Sequence, residues 1–137
     1  MTSFLCKTLE QTGEAAKYFS KYVEPGICFC LYGDLGVGKT AFSELLIKLL
    51  NPNIKNVTSP TFNIIQTYEC EISEIWHVDC YRLKSEDEIY ELGLQEAVGQ
   101  FITIIEWPEI IENFLPEDAI KIYFKMNGED RIIESDF

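Results

Sequence analysis

The sequence predicts an α/β fold: a central mixed sheet, parallel at its core with antiparallel additions, held between two layers of helix. Three observations carry that expectation. The apolar run Ile27-Cys28-Phe29-Cys30-Leu31-Tyr32 passes through a glycine-rich loop into residues with helical apolar spacing. Phe101-Ile102-Thr103-Ile104-Ile105 is continuously apolar, the pattern of a central strand covered on both faces. Near the end, Asn127-Gly128 separates two apolar stretches, the strongest short-range hairpin signal.

In order along the chain, residues 3–7 read as a first strand. Thr8 is placed to cap a helix, with Gln11 three residues on and Ala15, Ala16, Phe19 and Val23 on its apolar stripe. Pro25-Gly26 ends that helix and delivers the chain to the strand at 27–32. A second helix follows the glycine loop, carries Ala41, Phe42, Leu45, Leu46, Leu49 and Leu50, and stops at Asn51-Pro52-Asn53. Residues 57–62 form a polar connector. The stretches 63–70 and 75–80, rich in Ile, Thr and Tyr, read as an antiparallel hairpin across an acidic turn. Ser85 with Glu88 has the spacing of a capping box for a short helix ending near Gly93, and 95–98 is a second helical piece. After the strand at 101–105 a helix is expected to run to Phe114. Strands at 119–126 and 131–134 flank the final hairpin turn. No repeat, linker or low-complexity tract divides the 137 residues, so one domain is expected.

The loop Gly33-Asp34-Leu35-Gly36-Val37-Gly38-Lys39-Thr40 matches G-x-x-x-x-G-K-[ST] at every fixed position. Strand, loop and helix form the context that gives this pattern its meaning, and they make the fold a P-loop NTPase-like three-layer sandwich. Glycines let the backbone approach a phosphate closely. Amides from Leu35, Gly36, Val37, Gly38, Lys39 and Thr40 can then converge on an anion at a helix N-terminus, where the helix dipole also favours negative charge. In such a loop the lysine reaches the β- and γ-phosphates and the Thr40 hydroxyl ligates Mg²⁺. The pattern implies a nucleoside triphosphate site.

Composition narrows the possibilities. The hydrophobic fraction of 47% and charged fraction of 25% are those of an ordinary globular protein. The net charge of −12 is not ordinary, and with only Arg82 and Arg131 as arginines it disfavours direct nucleic-acid binding. Any role in nucleic-acid metabolism is expected to pass through a protein partner. Cys6, Cys28, Cys30, Cys70 and Cys80 sit in apolar settings without metal-ligand spacing, as reduced core thiols of a cytoplasmic protein would. No signal-peptide pattern and no membrane-spanning run is present.

A P-loop needs an acidic residue at the end of a neighbouring strand. Asp79, after Ile75-Trp76-His77-Val78, and Glu106, after the run from Phe101, are the two candidates, and both remain open as the group that positions water. Glu106 fits best with ligands gathering beyond the carboxyl ends of parallel strands. No Asn-Lys-x-Asp guanine-reading stretch occurs, which points to ATP. His77, the only histidine, reads as a packed, hydrogen-bonded structural residue. Arg82 is either a cis arginine finger or a loop ion-pair partner. Trp107 either packs on the nucleotide or belongs to the core.

Four separated segments agree with one family. Leu31 to Thr40, then Val57-Thr58-Ser59-Pro60-Thr61-Phe62, then His77-Val78-Asp79-Cys80-Tyr81-Arg82-Leu83, then Glu106-Trp107-Pro108 resemble the TsaE (YjeE) family. Its members are small bacterial ATPases of tRNA threonylcarbamoyladenosine biosynthesis, acting on tRNAs that read ANN codons. The resemblance implies an ATPase that does not itself transfer the group but works with the transferase TsaD and its paralogue TsaB. The tRNA is then met only indirectly, in keeping with the acidic composition. It further implies that Lys39 contacts phosphate, that Thr40 and Glu106 hold Mg²⁺, and that Thr61 and Asp79 lie in switch-like segments. Leu9 and Arg131 fall where the family contacts the nucleoside. Val78 and Cys80 depart from the usual phenylalanine and leucine but stay apolar. Two other readings stand beside this one: a nucleotide-gated adaptor, and an independent small-molecule kinase, against which two arginines are too few for an acceptor lid.

Overall fold

The structure is a computed structural model that describes residues 1–60 and 63–137. Its elements in chain order are β1 (Thr2–Cys6), α1 (Leu9–Ser20), β2 (Cys28–Tyr32), α2 (Lys39–Leu50), β3 (Ile65–Glu69), β4 (Glu74–Asp79), α3 (Glu88–Leu92), α4 (Leu94–Ala97), β5 (Ile102–Glu106), a 3-10 segment (Pro108–Phe114), β6 (Ile120–Asn127) and β7 (Asp130–Ser135). The strands form one sheet in the order β1-β7-β6-β2-β5-β4-β3. β6, β2, β5 and β4 run parallel, with β2 between β5 and β6. β3 extends one edge antiparallel to β4, while β7 and then β1 extend the other. This is the expected parallel core with antiparallel additions.

The period-2 alternation of the strands sorts the core into two halves. Phe29 and Leu31 of β2, Ile102 and Ile104 of β5 and Ile75 of β4 pack with Ala16 and Phe19 of α1 and Phe42 and Leu46 of α2. The Phe19 ring meets Phe29 and Phe42 edge-on, with centroids 6.3 and 6.0 Å away. On the other face, Cys28, Cys30, Val78 and Ile105 pack with Ile89 of α3, Leu94 of α4 and Ile111 of the 3-10 segment.

Local signals were met to different degrees. Thr8 caps α1, its Oγ1 accepting from Gln11 N–H at 3.2 Å, and Gln11 Oε1 accepts from Lys7 N–H at 2.5 Å. At Ser85 only half of the capping box forms. Glu88 Oε2 accepts from the Lys84 and Ser85 amides at 2.6 and 3.2 Å, but the helix begins at Glu88 itself, after Asp87. Ile89, in the first turn of that helix, is fully buried. The helix expected after Pro108 is a 3-10 segment kinked at Ile111, a stretch too short to repay an α-helical nucleus. Cys6, Cys28, Cys30 and Cys80 are buried free thiols, whereas Cys70 is half-buried. Thr61 and Phe62 of the polar connector lie outside the described residues. No helix among the described residues is long and apolar enough to cross a membrane.

Candidate functional site

The site lies at the carboxyl end of the parallel strands, where β2 turns through the glycine loop into α2. Gly33 adopts φ +150°, and a Cβ there would come within 2.7 Å of the Phe124 carbonyl oxygen on β6. The loop therefore leaves the sheet flush against β6, which a side chain would prevent. Gly38 caps α2 at φ +106°, ψ 13°, a left-handed conformation that glycine adopts without strain. The first amides of α2, from Gly38 to Ala41, have no acceptor within the helix and open towards the loop.

Lys39 is 4% exposed and its Nζ donates to the Gly33 carbonyl oxygen across the loop. The same ammonium sits 3.4 Å from the centroid of the Trp107 ring. Burial pulls the Lys39 pKa below its ordinary value, opposed by the charges of Glu106, Glu109, Asp79 and Asp34. Trp107 holds the left-handed conformation φ 55°, ψ 54°, uncommon for a bulky residue, between the end of β5 and Pro108. Its ring lies 4.8 Å from that of Tyr81.

The two candidate acids are cross-strand neighbours, since Asp79 is the register partner of Glu106. Glu106 is 2% exposed and held by both oxygens. Thr40 Oγ1 donates to Oε1 at 2.8 Å, and His77 Nε2 meets Oε2 at 2.6 Å. Asp79 accepts from Tyr81 N–H at 2.9 Å through Oδ1. Burial pushes its pKa up, the Tyr81 bond pulls it down and the neighbouring Glu106 charge pushes it up again.

A cavity of about 450 Å³ opens over these groups, lined by Leu35, Gly36, Lys39, Asp79, Glu106 and Trp107 among others. A larger cavity of about 640 Å³ lies at the opposite end of the sheet, below the α1–β2 turn and Phe137. Among the described residues no helix N-terminus lines that cavity, so chemistry rather than volume selects the first. The donor set also fits a hard divalent cation. Thr40 and Glu106 offer two oxygens side by side, and Mg²⁺ is usually held by one or two protein oxygens with phosphates and waters completing its shell. Among the described residues no cluster of three or more His, Cys, Asp or Glu is placed to bind a metal unaided.

Of the residues singled out in the sequence, Lys39, Thr40, Asp79, Glu106, Trp107, Leu35, Gly36 and Gly38 converge on this cavity. Val37 turns inward, 3% exposed, and with its loop neighbours lines a separate pocket against Phe124 and Met126. Arg131 approaches from the other side of the loop. Arg131 packs its Cδ and Nε against Gly38, 3.1 and 3.2 Å from where a Cβ would stand, and its buried Nε has no hydrogen-bond partner among the described residues. Leu9 opens α1 just beyond Cys6, the register partner of Arg131, and is 62% exposed. Thr61 lies outside the described residues. Sequence reasoning missed the contact between His77 and Glu106. The signal was present, because residues 77 and 79 share a strand face by alternation.

Comparisons with known proteins bear on the family and the fold. The profile of the family described as "Threonylcarbamoyl adenosine biosynthesis protein TsaE" matches residues 6–133. A Rickettsia bellii protein named tRNA threonylcarbamoyladenosine biosynthesis protein TsaE is 45% identical over 122 residues, covering 89% of this chain and 85% of the relative. A Bacillus subtilis protein of the same name is 38% identical over 122 residues, covering 88% and 75%. A crystal structure of Bacillus subtilis YdiB superposes with a TM-score of 0.76 at 29% identity, covering 98% of this chain and 83% of that one. With a family profile spanning nearly all of its length and relatives this similar, the chain belongs to the TsaE family of threonylcarbamoyladenosine biosynthesis proteins.

Proposed function

We propose that this chain binds ATP with Mg²⁺ at the β2–α2 loop and hydrolyses it to ADP and phosphate. It acts as one cytoplasmic domain that serves tRNA threonylcarbamoylation through TsaD-like and TsaB-like partners. The observation that carries this reading is the meeting of Lys39, Thr40, Asp79 and Glu106 at the mouth of the glycine loop. Loop amides cradle the phosphates, and Lys39 leaves the Gly33 carbonyl to pair with the β- and γ-phosphate oxygens. Arg131 and Leu9 approach the nucleoside, and Trp107 flanks the phosphates. Thr40 and Glu106 would hold Mg²⁺, which when bound would supply positive charge against the phosphate oxygens. Asp79 is left to accept a hydrogen bond from the attacking water, because Glu106 would be committed to the cation through Oε1 and to His77 through Oε2. The net charge of −12 leaves contact with tRNA to the partners.

The test is ATP hydrolysis by the protein alone, with both partners, and with Lys39→Ala in each setting. Little hydrolysis alone, stimulation by the partner pair and loss of at least about 100-fold in Lys39→Ala are expected. ATP binding without stimulated hydrolysis would replace the ATPase with a nucleotide-gated adaptor.

A further inference from the structure

His77 is fully buried on β4, on the face that packs against α2, and it is not a register partner of Glu106 but of Ile104. Its Nε2 reaches diagonally to Glu106 Oε2 at 2.6 Å. The second ring nitrogen, Nδ1, is buried without a partner among the described residues. A lone acceptor there is tolerable, whereas an N–H would be an unsatisfied donor in the core. The proton therefore sits on Nε2, and the imidazole donates to a carboxylate that accepts.

Glu106 is thus held from two sides by unequal means. Thr40 Oγ1 and Glu106 Oε1, joined at 2.8 Å, are the two atoms assigned above to the cation. A cation ligated by both replaces the bond between them. The bond from His77 uses the other oxygen and does not compete. We propose that His77 is a positioning residue for Glu106: its Nε2–H fixes Oε2 so that Oε1 stays turned towards Thr40 and the cation that accompanies the nucleotide. Outer-shell donors of this kind orient the ligands they touch, and their loss commonly weakens metal binding by 10- to 100-fold. This inference rests on the reading of Glu106 as a Mg²⁺ ligand.

The experiment measures how Mn²⁺ and ADP bind together, without turnover. Free Mn²⁺ is followed by electron paramagnetic resonance as it is titrated into ADP-loaded protein, and ADP affinity is measured separately in excess EDTA. His77→Leu should raise the Mn²⁺ needed for half-saturation by about tenfold while leaving metal-free ADP affinity unchanged. His77→Gln, whose side-chain N–H can still reach Oε2, should restore Mn²⁺ binding to near the parent value. If His77→Leu does not fold, His77→Asn, too short to reach Oε2, takes its place. Parent-like Mn²⁺ binding in the Leu or Asn variant, or failure of Gln to rescue, overturns the positioning role alone. A parent protein whose ADP binding shows no dependence on Mn²⁺ overturns the metal reading of Glu106, and the positioning role with it.

Discussion

The two faces of the sheet, compared at its carboxyl end, are built from the same strands and have opposite chemistry. Towards α2, β4 and β5 finish in His77, Asp79 and Glu106, all buried, with Lys39 buried beside them. Towards α3 and α4 the same strands carry Val78 and Ile105, with Cys80 just beyond β4, sealed by Leu83, Ile89 and Leu94. One face spends burial on groups that disfavour it, and the other gains from every residue it hides. Polar burial on the α2 face is sustained by specific partners, from Thr40 and His77 on Glu106 to Tyr81 N–H on Asp79. Stability and activity should therefore separate by face.

The sharpest break is Glu106→Gln. Partner-stimulated ATP turnover should fall by about 100-fold or more, while the melting temperature of the nucleotide-free protein changes little. Turnover close to the parent's would remove Glu106 from the chemistry. On the opposite face, Leu94→Ala should cost about 2–5 kcal/mol in urea unfolding, because it empties a fully buried position. The fraction that remains folded should bind ADP as the parent does, and a matching loss of affinity would mean that the faces are coupled.

The smallest expected effect is at Asp79. Burial raises its pKa above the ordinary 3.8, so the proton is held more tightly in the folded state. The stability this gives is present below the ordinary pKa and is lost as pH rises through the raised folded value. Asp79→Asn should therefore melt about 2 °C higher than the parent at neutral pH and lose that advantage in acid. Melting curves across that range would show an unchanging gap if ionisation of Asp79 is not its source.

Much of this arrangement was legible in the letters. The apolar run of β2 before the glycine loop, the continuous run in β5 and the Asn127-Gly128 turn gave the parallel core and the terminal hairpin, because apolar patterning and turn chemistry act over a few residues. Short-range signals misjudged what longer-range packing controls. After Ser85 the chain makes a 3-10-type turn, Glu88 N–H to the Ser85 carbonyl, before α3 begins at Glu88, and the segment after Pro108 closed as a kinked 3-10 turn.

By itself the sequence determined the glycine loop with its lysine and threonine, the two acids at strand ends and the family, since all of these are written in contiguous segments. Only the tertiary structure decided how they combine. The parallel register of β4 and β5 set Asp79 beside Glu106, the position of α2 brought Thr40 to Oε1, and the diagonal reach from β4 brought His77 to Oε2. Residues 40, 77 and 106 are far apart in the chain, and no local preference encodes their meeting. It follows from two strands and a helix burying their apolar faces together, which brings these polar ends to where they can satisfy each other.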